Sequence, residues 1–431
     1  MALLTIGNSF SRVSELTLDQ EKRLRKALTY TEGGSAAYFS GYGPRRKCLL
    51  SKRGEFPTGL MRTVLGELKV DALKVEDTRK IPKISSGASY TLNVTPYQTQ
   101  LDAVTSAVER GRGTISMPTG TGKSLVIGLI ALRLNLKTLV VVPSIEIKKQ
   151  LIELFKTFKM HSQVTVECIS SPKLNNMKNF DCLIIDEAHH AAAKTYQKLN
   201  KTAWTGICYR FFLTATPFRN DKEETLLFES IAGQLIYHLS YKEAIKQGLI
   251  VPVEAYYIDL PKTETDAYTW AQVYSTLVVK NDYRNNLTAA LMLRLNEEGK
   301  SALCLVKEVA HGKVLEATSG LPFVHGQDDE SRDYIRQFNN GGQRTLIGTT
   351  GILGEGVDTK PCEIVIIAGL GKAKSAFMQQ VGRAVRKFPG KEAAKIIIFR
   401  DRSHKFTLRH FNTQVKILKE EYGVIPQKLD L

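Results

Sequence analysis

The sequence predicts an α/β protein in which a small N-terminal α+β unit precedes two parallel-sheet domains in tandem. Two observations carry this reading. Short apolar runs at 138–142, 165–169, 182–185 and 211–213 alternate with helical stretches, and such alternation builds a parallel sheet covered by helices. The alternation restarts after residue 253, with strands expected at 302–306, 322–324, 345–347, 363–367 and 395–399. Domain boundaries are accordingly expected at 1–88, 89–240 and 241–431, a division that suits a chain of 431 residues.

Within the first 88 residues the pattern predicts a strand at 2–6 and a basic amphipathic helix at 14–30, with Ser14 and Thr17 as caps. A loop at 33–46, a strand at 47–51, a helix at 57–68 and a linker at 75–89 follow. Hydrophobic residues make up 43% of the chain and charged residues 24%, a globular composition. No apolar run approaches the roughly 18 residues that span a bilayer, and the first residues lack a signal-peptide pattern, so a cytoplasmic protein without membrane partners is expected. The six cysteines are scattered without metal-ligand spacing, which predicts reduced, mostly buried thiols. A net charge of +17 points to a polyanionic partner. The excess lies at the two ends, with 16 basic against 9 acidic residues in 1–90 and 14 against 5 in 370–431.

The most specific motif is MPTGTGKS at 117–124. In such a loop the turn formed by Pro118, Thr119, Gly120, Thr121 and Gly122 aims backbone N–H groups at phosphates, Lys123 reaches the β- and γ-phosphates and Ser124 ligates Mg²⁺. Met117 stands where the strict pattern has glycine, but a short lead at 111–116 and a helical run at 125–136 supply the expected context. The second half of the site is LIIDEAHH at 183–190. A buried strand there delivers Asp186 to hold Mg²⁺ through water and Glu187 to polarise the attacking water, since phosphoryl transfer needs positioning and charge neutralisation.

In this order the motifs resemble those of the superfamily-two helicases across roughly residues 95–405. The resemblance implies two RecA-like domains, ATP and Mg²⁺ as cofactors, and DNA as partner. Gln98 in TPYQ is similar to the adenine-reading glutamine, while Pro143, Ser144 and Ser170 resemble contacts to the nucleic-acid backbone. Thr214, Ala215 and Thr216 resemble the motif that couples hydrolysis to the nucleic-acid groove. In the second half, TTGILGEGVD at 349–358 supplies Thr349 for DNA and Gly356 and Asp358 for the nucleotide, and QQVGRAVR at 379–386 supplies Gln379 with Arg383 and Arg386 for the γ-phosphate. A γ-phosphate that loosens in the transition state needs extra positive charge, which arginines brought by a second domain provide on closure. The likeness extends to the phage UvsW-type helicases that remodel branched DNA, through Lys307 and His311 in LVKEVAHGKVL and through EFPTGLMRTV at 55–64. It implies a motor on duplex or branched DNA with single-stranded parts, acting in replication, recombination or repair in a host cytoplasm; a monomer is expected because one chain already brings both halves of the cleft. An RNA helicase and an ATP-gated DNA clamp with little turnover are the alternatives.

Overall fold

The computed structural model describes residues 2–32, 45–69, 73–84, 94–216, 222–353, 359, 361–369, 371 and 373–430. The chain divides into two compact units, Met1–Met117 with Gly122–His238, and Pro118–Thr121 with Leu239–Leu431.

The first unit opens with strands β1 (Ala2–Ile6), β2 (Phe10–Ser14), β3 (Thr29–Glu32), β4 (Arg45–Cys48), β5 (Glu55–Pro57) and β6 (Leu73–Asp77). Four of them form a mixed sheet in the order β5-β2-β1-β6, and β3 and β4 form a separate antiparallel ribbon. The helix Leu18–Ala27 is set by a capping box in which Thr17 Oγ1 accepts from the Gln20 N–H at 3.2 Å and Gln20 Oε1 accepts from the Thr17 N–H at 2.9 Å. Ser14 belongs to β2 rather than to the cap. The expected strand at 47–51 lies earlier, in β4, whose four residues are all exposed. The linker also begins later than expected, because 73–77 pairs in parallel with β1. Polar, exposed residues in β6 concealed a strand whose reason is its register with β1.

The six strands β7 (Arg112–Ser116), β8 (Thr138–Val142), β9 (Val164–Cys168), β10 (Cys182–Ile185), β11 (Tyr209–Thr214) and β12 (Leu235–His238) form an all-parallel sheet in the order β12-β7-β11-β10-β8-β9. β8, β10 and β11 are buried at every position, as strands covered on both faces must be. The N-terminal segment shares this unit instead of standing apart. Its apolar core of Leu4, Val13, Phe56 and Val64 includes Leu226 from the helix Lys222–Ala232. Fully buried Arg210 of β11 donates to Ser9 Oγ at 2.8 Å, and Arg112 of β7 donates to the Asn8 carbonyl at 2.6 Å. A Cβ on Gly59 would lie 2.0 Å from the Glu229 carbonyl oxygen, so the backbones approach where only glycine fits.

In the second unit β13 (Val253–Asp259), β14 (Ala302–Val306), β15 (Phe323–Val324), β16 (Thr345–Thr349), β17 (Ile364–Ile367), β18 (Ala394–Arg400) and β19 (Gln427–Lys428) run parallel in the order β15-β16-β14-β17-β18-β13-β19. Their core joins Cys304, Val306, Ile347, Ile366 and Phe399 with Met292 and Leu315 of the covering helices. The tandem parallel sheets match the expected fold class. Among the described residues, no helix is long and apolar enough to cross a membrane. All six cysteines are free thiols, and only Cys48 is exposed.

Candidate nucleotide site and nucleic-acid faces

β7 ends at Ser116 and feeds the phosphate loop into the helix Lys123–Leu134. Met117, at the departure from the glycine pattern, is fully buried, and its N–H donates to the Thr214 carbonyl at 3.0 Å. The Thr121 hydroxyl donates to the Pro118 carbonyl at 2.8 Å and narrows the turn, while Thr119 is half-buried and Gly120 exposed at the tip. Gly122 has φ +83°, and a Cβ there would stand 2.4 Å from Gln100 Nε2. Beyond it the first N–H groups of the helix face the loop, the arrangement that receives an anion. Ser124 is exposed beside them. Lys123 is buried, with Nζ 3.4 Å from the Met117 carbonyl and 3.8 Å from Glu187 Oε1.

β10 brings Asp186 and Glu187 to this place. Asp186 is buried, and its Oδ1 accepts from the Glu187 N–H at 2.9 Å. Burial, reinforced by the neighbouring Glu187 charge and opposed by Lys123, pushes its carboxyl up to about 7. Glu187 sits in the left-handed region at φ 45°, ψ 47°, a conformation that costs a non-glycine residue energy and clusters at functional positions. The kink holds its carboxylate between Lys123 and His189, with Oε2 3.5 Å from His189 Nδ1. Thr214 closes β11 beside β7, and its Oγ1 accepts from the Thr216 N–H at 3.1 Å. Thr214, Ala215 and Thr216 are all buried. The segment 214–216 is therefore hydrogen-bonded through Thr214 to the base of the loop that follows β7.

The structure separates the two glutamines of the helix Gln98–Arg110. Gln98 is exposed and donates to Asp102 Oδ1 at 2.8 Å. Gln100 is buried against Gly122, with Oε1 accepting from the Tyr97 N–H at 2.9 Å. Gln100 is the one of the two that packs against the loop before the helix Lys123–Leu134. The signal for it was helical periodicity, since Gln100, Ala103, Val104 and Ala107 form one buried stripe and Gln98 lies off it.

Pro143 and Ser144 follow β8, and Ser144 Oγ caps the helix Ile145–Thr157 by accepting from the Ile147 N–H at 3.3 Å. Ser170 is exposed just past β9, at the same C-terminal edge of the sheet. In the second unit Lys307 leaves β14 and Thr349 ends β16, adjacent strands paired through Val306 and Thr349. Gln379 and Arg383 are four apart on the helix Lys374–Ala384, and Arg386 follows three residues on. Arg383 is buried. Gly356 and Asp358 lie outside the described residues. His311 is structural: it is fully buried, its Nε2 lies 3.0 Å from Asn285 Oδ1, and burial with the nearby Arg284 charge pushes its pKa down to about 3.

Two family models match the chain. The type III restriction enzyme res subunit matches residues 91–179 and 169–219, and the helicase conserved C-terminal domain matches 284–388. The chain belongs to the superfamily-two helicases. This helicase is 22% identical over 344 residues to the ATP-dependent DNA helicase uvsW of Enterobacteria phage T4, covering 70% of this chain and 68% of that protein. It is 24% identical over 356 residues to the DNA 3'-5' translocase XPB2 of Sulfurisphaera tokodaii, covering 69% and 80%. A candidate helicase, number 22, of Sulfolobus islandicus filamentous virus is 24% identical over 373 residues, and the match spans 73% of this chain but 65% of that protein, just under two thirds. Among solved structures, a fragment of an HsdR-type restriction subunit from Vibrio vulnificus YJ016 superimposes with TM-score 0.62 at 20% identity, covering 79% of this chain and 69% of that one. Saccharomyces cerevisiae Dbp5 does so with TM-score 0.54 at 17% identity, covering 78% and 90%. At these identities both likenesses show the fold alone.

Proposed function

We propose that this helicase is an ATP-driven motor that moves on duplex or branched DNA. The observation that carries the reading is the meeting of Lys123, Asp186 and Glu187 at the phosphate loop, with Thr214 bonded to that loop's base. Lys123 would receive the β- and γ-phosphates. Glu187, held by its strained backbone, would orient the attacking water, with His189 steadying the carboxylate. Ser124 and the buried Asp186 are hard oxygen donors that suit Mg²⁺. Bound there, Mg²⁺ would neutralise phosphate charge. The buried carboxylate fits this, because a cation would offset the cost of ionising Asp186. Gln100 is the better candidate than Gln98 to link nucleotide binding to the loop. Gly356 and Asp358 would serve the nucleotide, and Gln379, Arg383 and Arg386 the γ-phosphate, by the motif resemblance.

DNA as partner is supported by the +17 charge and by relatives described as a DNA helicase and a DNA translocase. Pro143, Ser144, Ser170, Lys307 and Thr349 are proposed backbone contacts. Branched DNA, and work in replication, recombination or repair, is the finer part of the proposal and rests on the UvsW-type resemblance. One chain carries both motif sets, which supports action as a monomer, and a DNA partner supports a cytoplasmic location. The N-terminal segment is proposed to grip duplex DNA through a groove of about 590 Å³ lined by Arg25, Lys26, Arg46 and Lys222, against the single acid Glu223. Steady-state ATPase assays without nucleic acid, with forked DNA and with RNA test the proposal. Stimulation by forked DNA well above that by RNA is expected. Stimulation by RNA alone would assign an RNA helicase, and tight DNA binding without turnover would assign a clamp.

A further inference from the structure

We infer that the second unit carries a base-stacking station for single-stranded DNA, built from Tyr268 and Trp270 with Lys307 and Lys405 beside them. Tyr268 is 84% exposed, yet its backbone is pinned. Gln272 Oε1 accepts from the N–H groups of Tyr268 and Thr269 at 3.1 and 3.0 Å, and Thr269 Oγ1 accepts from the Gln272 N–H at 3.3 Å. An aromatic ring held out on a fixed turn makes no contribution to a core. Trp270, two residues on, is half-buried and packs edge-on against Tyr274, Phe406 and His410, with ring centroids 5.4, 6.3 and 4.1 Å away. Two cations border this cluster: Lys307 Nζ lies 5.6 Å from the Tyr274 ring centroid, and Lys405 Nζ lies 5.7 Å from that of Phe406.

The placement supplies the direction. Tyr274 Oη donates to the Gly369 carbonyl at 3.0 Å, past the end of β17, and the Thr263 N–H donates to Ser403 Oγ at 2.9 Å, past the end of β18. The segment is therefore laid over the C-terminal strand ends where Lys307 and Thr349 stand, the edge at which parallel sheets bind ligands. Aromatic faces interleaved with cations suit unpaired bases on a phosphate backbone. Duplex DNA, with its bases already stacked, offers no face to Tyr268. Glu264 and Asp266 precede Tyr268 and repel phosphates, so the backbone is expected on the Lys307 and Lys405 side.

This inference rests on the DNA-motor reading, and the chain itself provides the probe. It has two tryptophans, of which Trp204 is fully buried in the first unit. An oligodeoxythymidylate and an abasic oligomer with the same number of phosphates would be titrated while tryptophan emission is followed. The first should quench Trp270 and the second should not, and Trp270→Phe should abolish the response. Tyr268→Ala, which removes no buried contact, should weaken oligodeoxythymidylate binding by about 5- to 100-fold. It should leave abasic binding and DNA-independent ATPase unchanged. Equal quenching by both oligomers, or Tyr268→Ala affinity within about twofold of wild type, would overturn the stacking station while leaving the motor reading intact. Failure of the wild-type protein to bind either oligomer would overturn the station alone, and failure to bind forked DNA as well would overturn the motor reading.

Discussion

Lys123 Nζ and Glu187 Oε1 sit 3.8 Å apart, but their proposed roles differ. Lys123→Ala should lose nucleotide affinity and turnover together. Glu187→Gln keeps the shape and loses the charge proposed to orient water, so it should retain ATP binding and lose turnover by about a hundredfold or more. Equilibrium binding of a fluorescent ATP analogue alongside steady-state turnover separates the two. Equal loss of binding in both variants would mean that Glu187 only props Lys123. The glutamines divide in the same way. Gln100→Ala removes a buried partner of the loop and should raise the Michaelis constant for ATP by about tenfold, the size of one hydrogen bond to a positioned group. Gln98→Ala should leave it unchanged, and the reverse order in side-by-side kinetics would restore Gln98 to the adenine role. His311 predicts a pH effect. Its folded pKa of about 3 lies below the ordinary 6.5, so the unfolded chain binds the proton more tightly. Its contribution is complete above pH 6.5 and is lost as pH falls toward 3. The protein should be about 2 kcal/mol less stable at pH 5 than at pH 7 on this account alone. His311→Gln should flatten that part of the urea-unfolding profile, and an unchanged slope would place the acid sensitivity elsewhere.

At the scale of elements, strands whose side chains are buried on both faces were legible, because β8, β10, β11, β14 and β17 are near-continuous apolar runs. β5, β6 and β19 were not, since short or exposed strands are specified by pairing partners far away in sequence. The phosphate loop, Asp186 and Glu187 were readable as local motifs. The strain at Glu187, the place of Gln100 and the bond from Met117 to Thr214 arise only from packing. Long-range contacts also tie the N-terminal segment to the first parallel sheet and its helices. A chain starting near Thr91 would deprive buried Arg210 of Ser9 and strip the partners of Leu226. Such a truncation is expected to aggregate, so surface charge is the proper probe of this segment. Glu substitutions at exposed Arg46, Lys52 and Arg53 should preserve the melting temperature yet weaken fork binding and make its salt dependence shallower, because fewer counterions are released. A salt series of fork affinities checks this. An unchanged slope would make the segment a stabilising element without a DNA role.

In the whole molecule, the nucleotide site and the faces proposed for DNA would be parts of one motor. The first unit contains Lys123, Asp186, Glu187 and Thr214, and the second contains Arg383, Arg386, Lys307 and Thr349. On the proposed roles neither set completes a cycle alone, so DNA should control turnover. The most direct measurement is conversion of a labelled DNA fork to its separated or branch-migrated products under single-turnover conditions. Wild type with ATP should convert the fork, and neither a non-hydrolysable analogue nor Lys123→Ala should give conversion. Conversion that proceeded equally without hydrolysis, or turnover of ATP that left the fork intact, would contradict the motor reading.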